Sequence, residues 1–488
     1  MALQLPVYVE PAPPVTTVRG LRKVATGISG LDEVTAGGLP WGRPTLVCGP
    51  AGCGKTLLAI EFLVRGIIEF GEPGVFVAFE ETVAELTENV LSMGFDLEKL
   101  QADGLLVMDY INVTPGDLQV SGAWDLEGLL IRLGAAIDRV GATRIVLDTI
   151  ENLFGAFGDV ATLRAELRRL FTWLKGRGVT AVITGERGDG SLMTRHGIEE
   201  YVSDCVIVLD HRVSEQTSTR RLRVLKYRGT LHGTNEYPFL IGRSGVSVLP
   251  ITSLGLQHAA SNERVSTGLD DLDAMLGGDG VYKGSSVLIS GTAGSGKSTI
   301  AAQFCAAACG RGERALYFAF EESQAQIVRN MATIGIDLAR WIEAGLLEFR
   351  CIRPSLFGLE AHLESMQQLV SQFDPRVVVM DPISDLVHTG GGAEVVAMLT
   401  RQVDYLKSRG VTTVFTSLNV VKDAENSEQE IGSLIDTWII AKLEEGDGIR
   451  TRVLYVLKSR GMAHSHEIRK FGLSSRGLEL TDVFRKVG

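Results

Sequence analysis

The chain has 488 residues, 22% of them charged and 45% hydrophobic, with 59 Asp and Glu against 48 Lys and Arg and a formal net charge of −11. That length provides for about two to four domains, each able to bury its own core. The acidic balance, without any long Lys/Arg run, weighs against a broad nucleic-acid or anionic-membrane surface, and no apolar run reaches the ~18 residues of a membrane span.

The opening MALQLPVYVEPAPP has no basic segment followed by an apolar one, so residues 1–18 read as a proline-rich extended arm and not as a secretory signal. Six cysteines in a chain of this size are not a disulfide framework. Cys305 and Cys309 share a helix face but have no nearby His or Cys pair to complete a zinc site, so they read as buried thiols. A reducing cytoplasm is the expected compartment.

From residue 19 to 250 short apolar runs alternate with helical patterns: PTLVC from Pro44, VFVAF from Val75, LLVMDY from Leu105, RIVLD from Arg144 and TAVIT from Thr180. Continuous apolar strands separated by helices predict an α/β domain with a mostly parallel sheet covered on both faces. Ligands on such sheets sit at the carboxyl ends of the strands. GPAGCGKT follows the first run and fits G-x-x-x-x-G-K-[ST]. Gly49, Gly52, Cys53 and Gly54 let backbone N–H groups wrap phosphates, Lys55 reaches the outer phosphates of ATP, and Thr56 holds Mg²⁺.

Glu80 and Glu81 end the second run. They can orient or deprotonate the group that attacks a γ-phosphate, or simply favour a helix N-terminus. Asp148 closes another run, where an Asp orients Mg²⁺ through the Ser/Thr or a water or caps the next helix. Lys226 and Arg228, two apart on one strand face and followed by His232, are either solvated charges guarding an edge strand or cations that reach a neighbouring subunit's phosphates.

After a weakly patterned polar stretch, 251–263, the pattern repeats over 264–488. Lys55 recurs as Lys297 at an offset of 242, Phe79 as Phe320 at 241, Asp148 as Asp381 at 233 and Leu225 as Leu457 at 232. A period this long is a duplicated domain and not a solenoid. The second loop, GTAGSGKS, offers Gly291, Thr292, Gly294, Ser295, Gly296, Lys297 and Ser298 to ATP, with Ser298 and Asp381 for the metal. Glu321 and Glu322 repeat the acid pair, and Lys458, Arg460 and His464 repeat the cations. Late in the chain SEQEIGSLIDT mixes acidic and apolar residues around Ser433. That serine is either a polar residue at a strand edge or a place where phosphate lands.

These features together resemble the KaiC family of tandem RecA-like P-loop ATPases and autokinases of the bacterial clock. The resemblance covers nearly the whole chain and is carried by both P-loops, GGLPWGR, GEPGVFVAFEET, GIEEYVSD, RGTLHGTNEYPF, EESQAQIVRN and IDTWII in order. It implies two tandem RecA-like P-loop NTPase domains in a double-ring homohexamer with ATP between subunits. It implies ATP hydrolysis in the first domain, served by Glu80 and Glu81. In the second it implies autokinase activity, with Glu321, helped by Glu322, as base. Lys226, Arg228, Lys458 and Arg460 then lie against the γ-phosphate of the adjacent subunit.

Two departures qualify the resemblance. The family's Ser–Thr acceptor pair is Gly432 and Ser433 here, which leaves Ser433 as acceptor and Ser427 as a second, upstream hydroxyl. The family's longer carboxyl tail, which binds an activating partner, is expected to be absent after TDVFRKVG. The expected function is thus a hexameric ATPase and serine/threonine autokinase in clock-type or stress signalling, with clock-type or signalling proteins as partners and no membrane. Two alternatives stand beside it. One is an ATP-dependent signalling scaffold without kinase output, with Glu428 and Glu430 supplying standing negative charge. The other is a DNA-handling RecA relative, which the acidic balance disfavours.

Overall fold

The structure, a computed structural model, describes residues 20–111, 126–151, 160–187, 203–214, 217–250, 261–356, 358–388, 392–418, 432–446, 449–475 and 477–483. The arm at 1–18, most of the polar stretch after Pro250, Ser427, Glu428 and Glu430 lie outside them. The chain divides into two compact units, Met1–His211 with Arg220–Pro250, and Ile251–Gly488 with the short segment Arg212–Thr219.

The first unit is built on one nine-stranded sheet. Its strands are β1 (Pro44–Gly49), β2 (Gly74–Ala78), β3 (Leu106–Tyr110), β4 (Arg144–Asp148), β5 (Thr180–Glu186), β6 (Cys205–Ser214), β7 (Thr217–Tyr227), β8 (Tyr237–Gly242) and β9 (Gly245–Val248). They lie in the order β3-β2-β4-β5-β1-β6-β7-β8-β9. Strands β1 to β6 pair in parallel, while β8 pairs antiparallel with β7 and with β9. Each predicted run forms a strand within a residue or two of its expected ends.

The second unit repeats the plan with β10 (Ser286–Gly291), β11 (Ala315–Ala319), β12 (Leu347–Cys351), β13 (Val377–Asp381), β14 (Thr412–Leu418), β15 (Thr437–Gly446), β16 (Ile449–Ser459), β17 (Arg469–Ser474) and β18 (Gly477–Val483). The order is β12-β11-β13-β14-β10-β15-β16-β17-β18. Both units are RecA-like α/β folds.

The runs are continuously apolar because both sheet faces are covered. Along β2, Phe76 and Ala78 join one core cluster, and Val75 and Val77 join the cluster on the other face. Helix α1 (Lys55–Phe70) leaves the carboxyl end of β1, and α2 (Lys297–Gly310) leaves that of β10. Both are buried against their sheets, which fixes the two glycine-rich loops between strand and helix. Arg144, only 1% exposed, ties α1 to the sheet: its guanidinium donates to Glu72 (2.6 Å) and to the carbonyls of Phe62 (2.8 Å) and Ala25 (2.8 Å). Among the described residues no helix is long and apolar enough to cross a membrane.

Candidate functional site

Each glycine-rich loop is a tight cradle. Gly52 and Gly54 have φ of 72° and 103°, and Gly294 and Gly296 have 74° and 93°, a region that favours glycine. A Cβ on Gly291 would lie 1.7 Å from the carbonyl oxygen of Ala441, so the loop's entry also requires glycine. Lys55 donates to the carbonyls of Gly49 (2.9 Å) and Pro50 (3.0 Å), and Lys297 to those of Gly291 (2.9 Å) and Thr292 (2.8 Å). Burial lowers the Lys297 ammonium from its ordinary value, opposed by the nearby charges of Asp381 and Glu321. The hydroxyls of Thr292 and Ser295 are buried and make no hydrogen bond among the described residues. Two orphaned hydroxyls beside a lysine in a cradle of backbone N–H groups fit the oxygens of a polyphosphate.

A cavity of about 370 Å³ opens on the second loop and is lined by Lys297, Ser298, Glu321, Glu322, Asn330 and Asp381 among others. The first loop opens on one of about 290 Å³, which Lys55, Thr56, Glu81 and Asn89 line. Asp148 and Asp381 end β4 and β13, both buried, each followed by a cis peptide bond. Among the described residues neither accepts from a helix N-terminal N–H. Asp148 accepts from Thr184 and Thr56, and burial raises its carboxyl above the usual range against those donors. Asp381 accepts from Thr416 and, at 2.5 Å, from the Tyr317 hydroxyl. A carboxylate held this way beside a Ser or Thr suits a hydrated divalent cation.

The two acid pairs are not helix caps either. Thr82 and Ser323 cap the helices that follow, with Glu85 and Gln326 completing capping boxes. Glu80 accepts from the Thr149 hydroxyl at 3.0 Å, and Glu81 from Asn89 at 3.3 Å. In the second unit Pro382 follows Asp381, so the counterpart of the Thr149 hydroxyl is missing. Glu321 faces acids instead. Burial raises its carboxyl, and Asp385 and Asp381 raise it further against Lys297. An elevated carboxylate lining a phosphate cavity has the property wanted of a general base.

Lys226, Arg228 and His232 do not line the first loop's cavity, nor do Lys458, Arg460 and His464 line the second. Their strands, β7 and β16, lie inside the sheets, but β8 pairs with β7 only at Arg220–Leu222 and β17 with β16 only at Val453–Leu454, so Lys226 and Lys458 lie beyond that pairing. Arg228 lines a separate cavity of about 910 Å³ with Arg22, Arg43 and Lys175. The buried Asp204 is bonded to Lys175 (2.5 Å) and lies within 3.8 Å of Arg43 and Arg228. The His232 Nδ1 is buried without a hydrogen bond among the described residues. The His464 ring packs edge-on against His466.

In the second unit Lys407 bonds Asp436 at 2.6 Å, with Arg460 at 4.0 Å. Lys458 donates to the carbonyl of Gly432 and Arg460 to that of Ser433 (2.5 Å). Burial, together with the charges of Arg460 and Lys407, lowers the Lys458 ammonium. Ser433 itself is exposed in a helical turn, residues 432–434, that precedes β15, and not at the strand edge the sequence suggested.

The sequence reading missed several residues that the fold brings in. Arg452 lines the second cavity and donates to the Gly294 carbonyl at 3.1 Å. Tyr317, Thr416, Thr184 and Thr149 orient the acids. The signal available for Thr184 and Thr416 was their matched place in the two repeats; Tyr317 corresponds in sequence to Phe76 in the other repeat and left none.

A protein-family model described as the KaiC ATPase matches residues 24–253 and 265–483. The circadian clock protein KaiC2 of Synechocystis sp. is 52% identical over 95% of this chain and 82% of its own length. The circadian clock oscillator proteins KaiC of Parathermosynechococcus lividus and Synechococcus elongatus are each 37% identical, over 96% of this chain and 87% and 90% of theirs.

Proposed function

This chain belongs to the KaiC family of ATPases, and from that premise we propose that it works as a homohexamer that hydrolyses ATP in its first domain (19–250) and phosphorylates Ser433 in its second (264–488). The observation that carries the reading is the separation, within one chain, of each P-loop cavity from its Lys–Arg pair and from the acceptor turn. A ring brings the two together, because one subunit's loop then faces the next subunit's cations.

ATP seats on Gly49–Thr56 and Gly291–Ser298. Thr56 with Asp148, and Ser298 with Asp381, would hold Mg²⁺, which when bound neutralises charge on the outer phosphates. Glu80 and Glu81 orient the attacking water in the first domain. In the second, the Ser433 hydroxyl gives its proton to Glu321 of the partner subunit. The serine Oγ then bonds to the γ-phosphorus, and the bond from that phosphorus to ADP breaks. Lys458 and Arg460, like Lys226 and Arg228, balance the charge that develops, with His232 and His464 beside them. Clock-type signalling is the setting that the relatives' names suggest, and the cytoplasm is the compartment proposed with it.

Mixing two variants tests the scheme. Glu321→Gln subunits keep the acceptor and lose the base; Ser433→Ala subunits keep the base and lose the acceptor. Phosphate on Ser433 of the Glu321→Gln subunits is expected only after mixed rings form with ATP. Phosphate there without mixing refutes transfer between subunits. None on Ser433 of the unaltered protein refutes the kinase.

A further inference from the structure

The turn that carries Ser433 is held from three sides, and one of the holding groups belongs to no nucleotide contact. Gly432 is buried next to the exposed Ser433. A Cβ built on Gly432 would lie 2.5 Å from Cζ3 of Trp438 and 3.2 and 3.3 Å from Cε3 and Cη2 of the same ring. Real Cβ atoms do not approach aromatic carbons so closely, and a ring edge cannot give way as a flexible chain end can.

The indole is fixed in turn. Its Nε1 donates to the Ser290 hydroxyl at 2.7 Å, and Ser290 is fully buried in β10, one residue before the glycine that opens the second phosphate loop. A register shift between Trp438 and Ile439 places Trp438 opposite Lys458, whose ammonium holds the Gly432 carbonyl. Such shifts re-aim side chains. Here the result is a ring against the α-carbon of Gly432 and a cation on its carbonyl, both from one cross-strand pair.

The duplication isolates what is special to this half. At the repeat's offset of 232 the counterpart of Trp438 is Val206, and at 242 that of Ser290 is Cys48. The first half has neither the indole nor the hydroxyl that anchors it. The pair is therefore no requirement of the shared fold.

We propose that Trp438 is a specificity-determining residue. Its indole, anchored on Ser290, seats the acceptor turn on the strand that feeds the second phosphate loop and excludes any side chain at position 432, so that the turn offers phosphate one hydroxyl, that of Ser433. The inference rests on Ser433 being the acceptor; the indole touches neither nucleotide nor the reacting oxygen and acts through the turn.

The test maps phosphate by mass spectrometry on the full chain with ATP and Mg²⁺, using hydrolysis by the first domain to show that each variant is folded. Gly432→Ser alone is expected to carry no phosphate on the introduced hydroxyl and at least tenfold less on Ser433. Gly432→Ser combined with Trp438→Val is expected to carry phosphate at both positions. A merely structural tryptophan does not redistribute phosphate between neighbouring hydroxyls. Gly432→Ser phosphorylated at both sites with Trp438 in place overturns the proposal, as does a double variant that takes phosphate at neither.

The kinase reading fails separately, through an unaltered protein without phosphate on Ser433. The seat is then decided by melting. Gly432→Ala is expected to lower the second unit's melting temperature with Trp438 present and to leave it unchanged, or raise it, in the Trp438→Val background. Equal shifts in both backgrounds refute the contact.

Discussion

Replacing Tyr317 with Phe removes one oxygen and leaves the rest of the core alone. The ring is fully buried, stacked 5.0 Å from Phe349, and its hydroxyl donates to the Asp381 carboxylate at 2.5 Å. Phe keeps the shape, so no cavity forms. A buried hydrogen bond to an ionised group contributes about 1.5–3 kcal/mol, and the carboxylate left behind keeps the Thr416 hydroxyl as a donor. For a unit of this size each kcal/mol moves the midpoint by roughly 2–4 °C, so Tyr317→Phe is expected to lower the second unit's melting temperature by about 3–12 °C. The drop should shrink with ATP and Mg²⁺ present, because the bound ligands then give Asp381 a partner that the unfolded chain lacks. Calorimetry of the full chain with and without ATP–Mg²⁺ reads both numbers. A shift below about 1 °C in the ligand-free protein refutes the claim that the hydroxyl holds the acid; an equal shift in both conditions refutes the placement of Asp381 at the metal.

Two further tests probe other parts of the molecule. Arg144→Met strands Glu72 and two carbonyls and should cost about 3 kcal/mol in urea unfolding. Gly66→Ala, whose Cβ would lie 2.5 Å from that guanidinium, should destabilise by roughly 1–3 kcal/mol alone but stabilise by up to about 1 kcal/mol in the Arg144→Met background; additive effects refute the contact. Because burial and the Asp385 and Asp381 charges raise Glu321, and a base works only when ionised, phosphate transfer should fall as pH drops while still above the ordinary carboxylate range. Asp385→Asn removes one of the raising charges and should move that acid limb to lower pH; a limb that stays in place removes Asp385 from the account.

Local motifs carried most of the fold into the sequence. A strand, an eight-residue glycine-rich motif and a helix lie within about thirty positions, and their recurrence marks the duplication. The predicted runs became strands because burial on both faces leaves no alternation to misread. The antiparallel strands β8, β9, β17 and β18, set beside the parallel ones, were not marked by any run of that kind. The site's supporting contacts were least legible. Tyr317 and Asp381 are 64 residues apart and Trp438 and Ser290 are 148 apart, so only the folded sheet makes them neighbours. The acid pairs could be read from sequence either as caps or as chemistry; Thr82 and Ser323 already fill the cap positions.

Lys55 and Lys297 each sit in the mouth of their own loop, bonded to its first two carbonyls. Each loop is thus folded around a cation that its own carbonyls hold. Nucleotide entry becomes an exchange of one set of oxygens for another, with little chain to order. Affinity at such a loop is a difference between two well-made sets of bonds. A change that weakens the lysine's hold on the loop carbonyls, without touching the phosphates, should therefore tighten nucleotide binding.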